Sequence, residues 1–257
     1  YAGQVVAPEK YTGFEAALDE ESARTTDRYE HARAYYDSVF KGCEPSCLPP
    51  KAPTPGGTGA ASVIRVAETA PSAVEACCKR NKVTPNALFN AAFGWTLSRF
   101  GQFDDAVFTT VWNGRNDSRL AACLTMLVRT LPVLVRTGEN RPVSDLLHET
   151  QEQLLDSMAN DLFSFAEISS AYGIRSDILF VYQGDNFTFD SFCGEKAELV
   201  NVMPDVAKAP VTLTVDLRDG QYILKADYLR SMYSEAFIES MLDVFCLTLN
   251  GFTEKTK

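Results

Sequence analysis

No stretch restricts the fold of this chain more than residues 107–136, VFTTVWNGRNDSRLAACLTMLVRTLPVLVR. Residues 107–112 are β-branched and aromatic, as a pleated and mostly buried strand requires. Asn113-Gly114 signals a turn, and the polar run Arg115 to Arg119 follows it. From Leu124 to Val135 the chain is apolar again, interrupted by Thr125, Arg129 and Thr130. The expectation is strand, loop, strand, with the second strand over 124–135. Arg115 and Arg129 then lie in or beside buried-looking segments. A buried guanidinium needs a partner, so each is expected either to have one or to snorkel to the surface.

The 257 residues suffice for one large domain or two small ones, and a hydrophobic fraction of 46% supports a true core. A net charge of −10 argues against a nucleic-acid footprint, which is normally basic. No apolar run approaches the ~18 residues of a membrane span, so no membrane partner is expected. The opening Tyr-Ala-Gly-Gln is no signal peptide and lacks an initiator Met, so a piece of a longer chain, or a chain with an added tag, is expected. Seven cysteines are an odd number without framework spacing; Cys43 and Cys47 are four apart, and Cys77 and Cys78 adjoin. The two histidines, His31 and His148, lie far from them, so no metal site is expected. Reduced thiols and a cytoplasmic location follow.

Residues 1–18 read as irregular, and residues 20–41 as a helix carrying Tyr29, Ala32, Tyr36 and Phe40 on one face, ended by Gly42. Residues 43–61 form a linker with Pro45, Pro49, Pro50, Pro53 and Pro55, then Gly56, Gly57 and Gly59. These glycines lack the Lys-Ser/Thr of a phosphate-binding loop. The chain divides into 1–61 and a domain over 62–257. A strand at 62–66 precedes a helix opened by Pro71 and another opened by Thr84-Pro85, with Leu88, Ala91, Ala92 and Trp95 inward and Gly101 closing it. Pro142 opens a helix to 158 with Leu146, Leu147, Leu154 and Leu155 inward. Ser164 and Glu167 form a capping box. Strands follow at 177–183, 211–217 and 221–228, the last two joined by Asp219-Gly220. Residues 184–210 are less regular. A final helix over 234–249 presents Phe237, Met241, Val244, Phe245 and Leu249. Strands alternating with helices predict a mixed β-sheet flanked by helices, an α/β fold.

Asn113-Gly114-Arg115 and the run from Val128 to Arg136 resemble the central segments of the C-terminal lobe of nonribosomal peptide synthetase condensation domains. Residues 29–42, 83–115, 164–167, 177–183 and 211–249 are similar to further segments in the same order. Departures include Arg129 where that family has Asn before Thr-Leu-Pro, changes around Met126-Leu127, and Val211 where it has Asp. The resemblance implies half of a chloramphenicol-acetyltransferase-like fold, the C-terminal lobe only. Two such lobes form a V around a tunnel. Carrier proteins deliver substrates into it on 4'-phosphopantetheine arms, an amine attacks a thioester, and no cofactor is bound directly. The implied partners are the N-terminal condensation lobe, peptidyl carrier domains and an adenylation domain. The family's His-His-x-x-x-Asp-Gly motif is not found here; it belongs to the N-terminal lobe and is expected upstream of residue 1. The resemblance therefore implies no catalytic residue in this lobe and no acyl transfer by it alone. It implies that Arg115 supports the catalytic loop through that motif's Asp and is unpaired without it. Asn113, Gly114, Arg129 and Thr130 become tunnel or lobe-interface candidates, and residues 116–123 a tunnel floor. Part of 184–210 is implied to be a latch between the lobes.

Other constellations are missing: Gly-x-Ser-x-Gly, Gly-x-Gly-x-x-Gly and His-Glu-x-x-His do not occur. His31 and His148 are expected to be surface residues. Asn116 and Asn186 match glycosylation spacing without a secretion signal. The pairs Asp104-Asp105 and Glu20-Glu21 read as turn and cap residues. Rival readings are an epimerisation or heterocyclisation domain, a free-standing acyl-CoA-dependent acyltransferase, or a non-catalytic lobe that docks carrier proteins.

Overall fold

A computed structural model describes residues 8–44, 48, 53–115, 117–138, 141–185, 191–192, 195–196, 207 and 209–254. Asn116, Asn186, Pro45, Pro49, Pro50 and most of the expected latch segment lie outside these residues.

The elements run α1 (Gly13–Arg24), α2 (Asp27–Phe40), β1 (Ala60–Val66), α3 (Pro71–Asn81), α4 (Pro85–Gly101), β2 (Asp105–Trp112), β3 (Arg129–Arg136), α5 (Val143–Ala159) and α6 (Phe165–Tyr172). Then come β4 (Ile178–Gly184), β5 (Ser191–Phe192), β6 (Glu195–Lys196), β7 (Val211–Arg218), β8 (Gln221–Leu229) and α7 (Glu235–Thr253). Six strands form one sheet in the order β1-β8-β7-β4-β2-β3, while β5 and β6 pair separately. β4 runs parallel to β2 and β7, and the other neighbours in the large sheet are antiparallel. The expected mixed sheet is present.

The expected helix at 20–41 is two helices. Thr12 and Glu15 form a capping box that starts α1 inside the stretch read as irregular, and Thr26 caps α2 after the break at Thr25. α2 buries Ala32, Tyr36 and Phe40 as its spacing requires. They pack with Val107, Leu134, Leu162, Phe163 and Ile168 over one face of β2 and β3.

The larger core lies on the opposite face, beneath α3, α4, α5 and α7. α4 buries eleven residues around most of its circumference, because it sits between the sheet and the neighbouring helices. Phe93 is its central side chain, with ring contacts to Phe108, Phe180 and Phe245. α7 is long and apolar enough, by length and composition, to cross a membrane, contrary to the expectation of no such run. It is a core helix here, burying Ile238, Met241, Leu242, Phe245, Leu249 and Phe252.

Leu155, expected inward, is 56% exposed. The inner stripe of α5 runs through Leu146, Leu147, Thr150, Gln153, Leu154 and Ser157, and Leu155 lies one residue beyond it. Gln153 lies on that stripe for a polar reason. Its Oε1 accepts from Leu134 N at 2.8 Å, and its Nε2 donates to Leu134 O at 3.1 Å. β3 is an edge strand, and this buried amide satisfies backbone groups that no further strand reaches. At the β7–β8 hairpin, Asp219 and Gly220 both have positive φ, 49° and 71°. That is the twist a two-residue turn needs.

Candidate functional site

The open end of the β2–β3 hairpin gathers the residues singled out in the sequence. Trp112 pairs with Arg129 and Val111 with Thr130, so residues 113–115 and 129–130 emerge side by side. Asn113 is exposed and its Oδ1 accepts from Arg115 N at 3.0 Å, a local turn. Gly114 is buried with φ +68°, and a Cβ there would lie 2.0 Å from Leu127 O. Only glycine fits both the conformation and the contact.

Arg115 is not unpaired. Its Nη1 donates to Leu120 O and, at 3.0 Å, to Cys123 O, while Nη2 donates to Thr125 O at 3.1 Å. One planar guanidinium thus gathers three backbone carbonyls of its own loop. This also explains why the second strand starts at Arg129 rather than Leu124. Gly114 turns the chain away from β2, and Arg115 binds carbonyls of the segment that would have continued the ladder. Leu124, Met126 and Val128 consequently alternate into solvent, at 89%, 83% and 54% exposure.

Arg129 has the partners its position demands. Its two Nη atoms reach the Glu20 carboxylate at 3.1 and 2.6 Å. Nε lies 3.1 Å from Asp161 Oδ2, close enough for an ion pair but off the line of a hydrogen bond. The forked bond from Arg129 outweighs burial and holds the Glu20 carboxyl below its usual range. Burial dominates at Asp161 and raises it, despite the same arginine. Glu20 is therefore an ion-pair partner in the body of α1, not a cap or turn residue. Nothing in its sequence neighbourhood pointed to a residue more than a hundred positions away.

α1 lies along this loop, and between them runs a groove of about 560 Å³, lined among others by Gly13, Ala17, Glu20, Gly114, Arg119 and Met126. Arg119 pairs with Asp117 at 2.7 Å and Asp19 at 3.1 Å. Asp19, Glu20, Asp117, Arg119, Arg129 and Asp161 all border the groove, and each is committed to a charged partner. Neither histidine lines it. His31 is exposed on α2, and His148 is exposed with Nε2 2.6 Å from Asn81 O. The groove is thus lined by paired charges, with the Asp161 carboxyl raised by burial.

Behind the groove, Glu167 of the α6 capping box collects Arg24, Tyr29 Oη at 2.7 Å and Ser164 Oγ at 2.6 Å. Burial pushes its carboxyl up, but the bonds from Arg24, Ser164 and Tyr29 together outweigh it and hold the group at about 2. A depressed carboxyl contributes stability that is complete above its unfolded value, about 4.3. That stability is lost as pH falls through about 2. Glu167→Gln should therefore lower Tm near neutrality, and the gap to the unsubstituted protein should close on acidification across that window. A gap independent of pH would refute the linkage.

The described cysteines Cys43, Cys77, Cys78, Cys123 and Cys246 are free thiols. Burial raises the pKa of each. They are structural groups rather than activated nucleophiles.

A family model described as the condensation domain matches residues 4–257. Bacitracin synthase 3 of Bacillus licheniformis is 26% identical over 225 residues, covering 82% of this chain and 4% of that protein. Tyrocidine synthase 2 of Brevibacillus parabrevis is 21% identical over 252 residues, covering 92% of this chain and 7% of that protein. Among solved structures, the epimerization domain from the third module of tyrocidine synthetase B superposes with a TM-score of 0.76 at 17% identity. That match covers 97% of this chain and 61% of that one. The condensation domain of the Monacolin K polyketide synthase gives 0.77 at 14% identity, covering 98% and 63%. These likenesses establish the fold. The chain spans a small fraction of the curated relatives and under two thirds of the solved domains.

Proposed function

The chain belongs to the condensation-domain family, and from that membership we propose that it is the C-terminal lobe of a nonribosomal peptide synthetase condensation domain. Its partner is an N-terminal lobe bearing the His-His-x-x-x-Asp-Gly motif. The two lobes together join carrier-bound aminoacyl or peptidyl thioesters into an amide. The substrates arrive on 4'-phosphopantetheine arms of peptidyl carrier domains, with an adenylation domain in the same cytoplasmic assembly. In this reading Arg115 supports the catalytic loop, while Asn113, Gly114, Arg129 and Thr130 border the tunnel or the lobe interface.

One observation supports this reading above the others. The Arg115 loop presents Leu124, Met126 and Val128 to solvent, and exposed Phe14 and Leu18 lie on the helix beside it. A loop that exposes several large apolar side chains is suited to meet a partner surface. Here Leu124, Met126 and Val128 belong to the loop that follows the Gly-Arg pair. Neither histidine lines the groove, and its carboxylates Asp19, Glu20, Asp117 and Asp161 are paired with arginines, which suits a lobe that completes a tunnel.

The test is amide formation between an acyl-loaded donor carrier and an aminoacyl-loaded acceptor carrier, read by mass spectrometry. A domain joining this lobe to its N-terminal lobe should yield product, and the 257-residue chain alone should yield none. Product from the isolated chain, or none from the joined domain, would refute the assignment.

A further inference from the structure

α1 is anchored differently from every other long helix described. It buries no residue, and Ala23 is its side chain that packs against an apolar cluster. Its other links to the body are polar. Asp19 binds Arg119 of the loop, Glu20 binds Arg129 at the start of β3, and Arg24 binds Glu167 and, at 3.1 Å, Leu162 O. Just before the helix, the Glu9 carboxylate accepts from Leu124 N. Gly13 meets the loop so closely that a Cβ there would lie 2.8 Å from Thr125 Cβ.

Two of the three ion pairs and both close approaches end on the segment from Arg119 to Arg129. That segment has no strand pairing of its own before Arg129; apart from the short turn bonds Leu120 N to Asp117 O, Ala121 N to Ser118 O and Cys123 N to Leu120 O, its inner hydrogen bonds come from Arg115. The helix and the loop therefore hold each other, with Arg115 bracing the loop from inside and α1 strapping it from outside. Ion pairs of this exposure gain little individually and weaken with ionic strength, whereas the apolar contacts that hold α2 do not.

We propose that α1 is a detachable strap: an ion-pair-held helix whose docking sets the order of the 113–128 loop, and whose release frees that loop while the rest of the fold persists. The device needs no ligand. It makes the loop's exposed apolar face responsive to any charged surface or solution condition that competes for Asp19 and Glu20.

Hydrogen exchange on the 257-residue protein, read by mass spectrometry, tests this. In Asp19→Asn/Glu20→Gln, peptides covering 13–24 and 113–128 should exchange about tenfold faster, while α2, β7 and α7 peptides keep their rates. Raising KCl from about 50 mM to ~1 M, where the Debye length falls to ~3 Å, should do the same to the unsubstituted protein. Both substitutions are on an unburied helix, and the α7 peptides report any global loss of stability. Unchanged exchange of 13–24 in the variant overturns the strap. Faster exchange of 13–24 with 113–128 unchanged overturns its control of the loop.

Discussion

Arg115→Ala is expected to lower amide formation by the complete domain about a hundredfold or more, while this lobe still unfolds cooperatively. Two losses combine. Within the lobe, the carbonyls of Leu120, Cys123 and Thr125 lose their shared donor. Hydrogen bonds to a charged group contribute about 1.5–3 kcal/mol each when buried. This loop is half-exposed and its carbonyls rehydrate, so the stability cost should be about 1–2 kcal/mol in all. In the proposed complete domain, where Arg115 would pair with the Asp of the catalytic loop, removing one member of such a buried ion pair costs about 3–5 kcal/mol. At ~1.4 kcal/mol per tenfold in rate, a loop held that much less firmly in its active shape explains the fall. Turnover and thermal unfolding should be measured on the same preparation. Turnover within about twofold of the unsubstituted domain would remove Arg115 from its proposed role. Gly114 makes the arrangement strict, because no other residue can hold φ +68° with Leu127 O so close.

Phe93→Ala is expected to cost about 3–5 kcal/mol, lowering Tm by about 10 °C. Phe93 is fully buried, with its ring stacked on Phe180 at 5.0 Å and set edge-on to Phe108 at 5.3 Å and Phe245 at 5.5 Å. Those partners come from β2, β4 and α7, so one truncation loosens the centre of the sheet and the helix layer together. The cavity would be walled by three rings fixed by their own strands and helix, which limits collapse. Phe100, near the end of α4 and half-buried against Phe237, is the control and should cost about 1–2 kcal/mol. Equal losses at the two positions would show that the four-ring contact is not the centre of the core.

Much of the fold was legible because it rests on local rules. The 3.6-residue recurrence of Ala32, Tyr36 and Phe40 specified a buried face wherever α2 docked. Thr84-Pro85 and Ser164 with Glu167 marked helix starts, and Asp219-Gly220 marked a hairpin. The start of α1 was equally available in Thr12 and Glu15, a capping box the glycine and proline around it obscured. Periodicity failed where the environment was not simply apolar or aqueous. The run from Leu124 looked like a buried strand, yet its alternate side chains face solvent, because strand character needs a neighbour to pair with and β2 has already ended. Leu155 looked inward by type, but the stripe on α5 had room for Gln153 instead, whose amide caps an edge strand.

The candidate site divides in the same way. The sequence by itself determined that Asn113-Gly114-Arg115 leaves a strand at a turn, and that Arg115 and Arg129 require partners. Both follow from backbone conformation and the cost of burying charge, which are properties of a short segment. Only the tertiary structure decided who those partners are: three loop carbonyls for Arg115, and Glu20 and Asp161 for Arg129. A salt bridge carries no signal in sequence spacing, because its two ends are brought together by the packing of elements far apart in the chain. The packing that joins α1 to β3 is itself mostly polar, so no apolar pattern announced it.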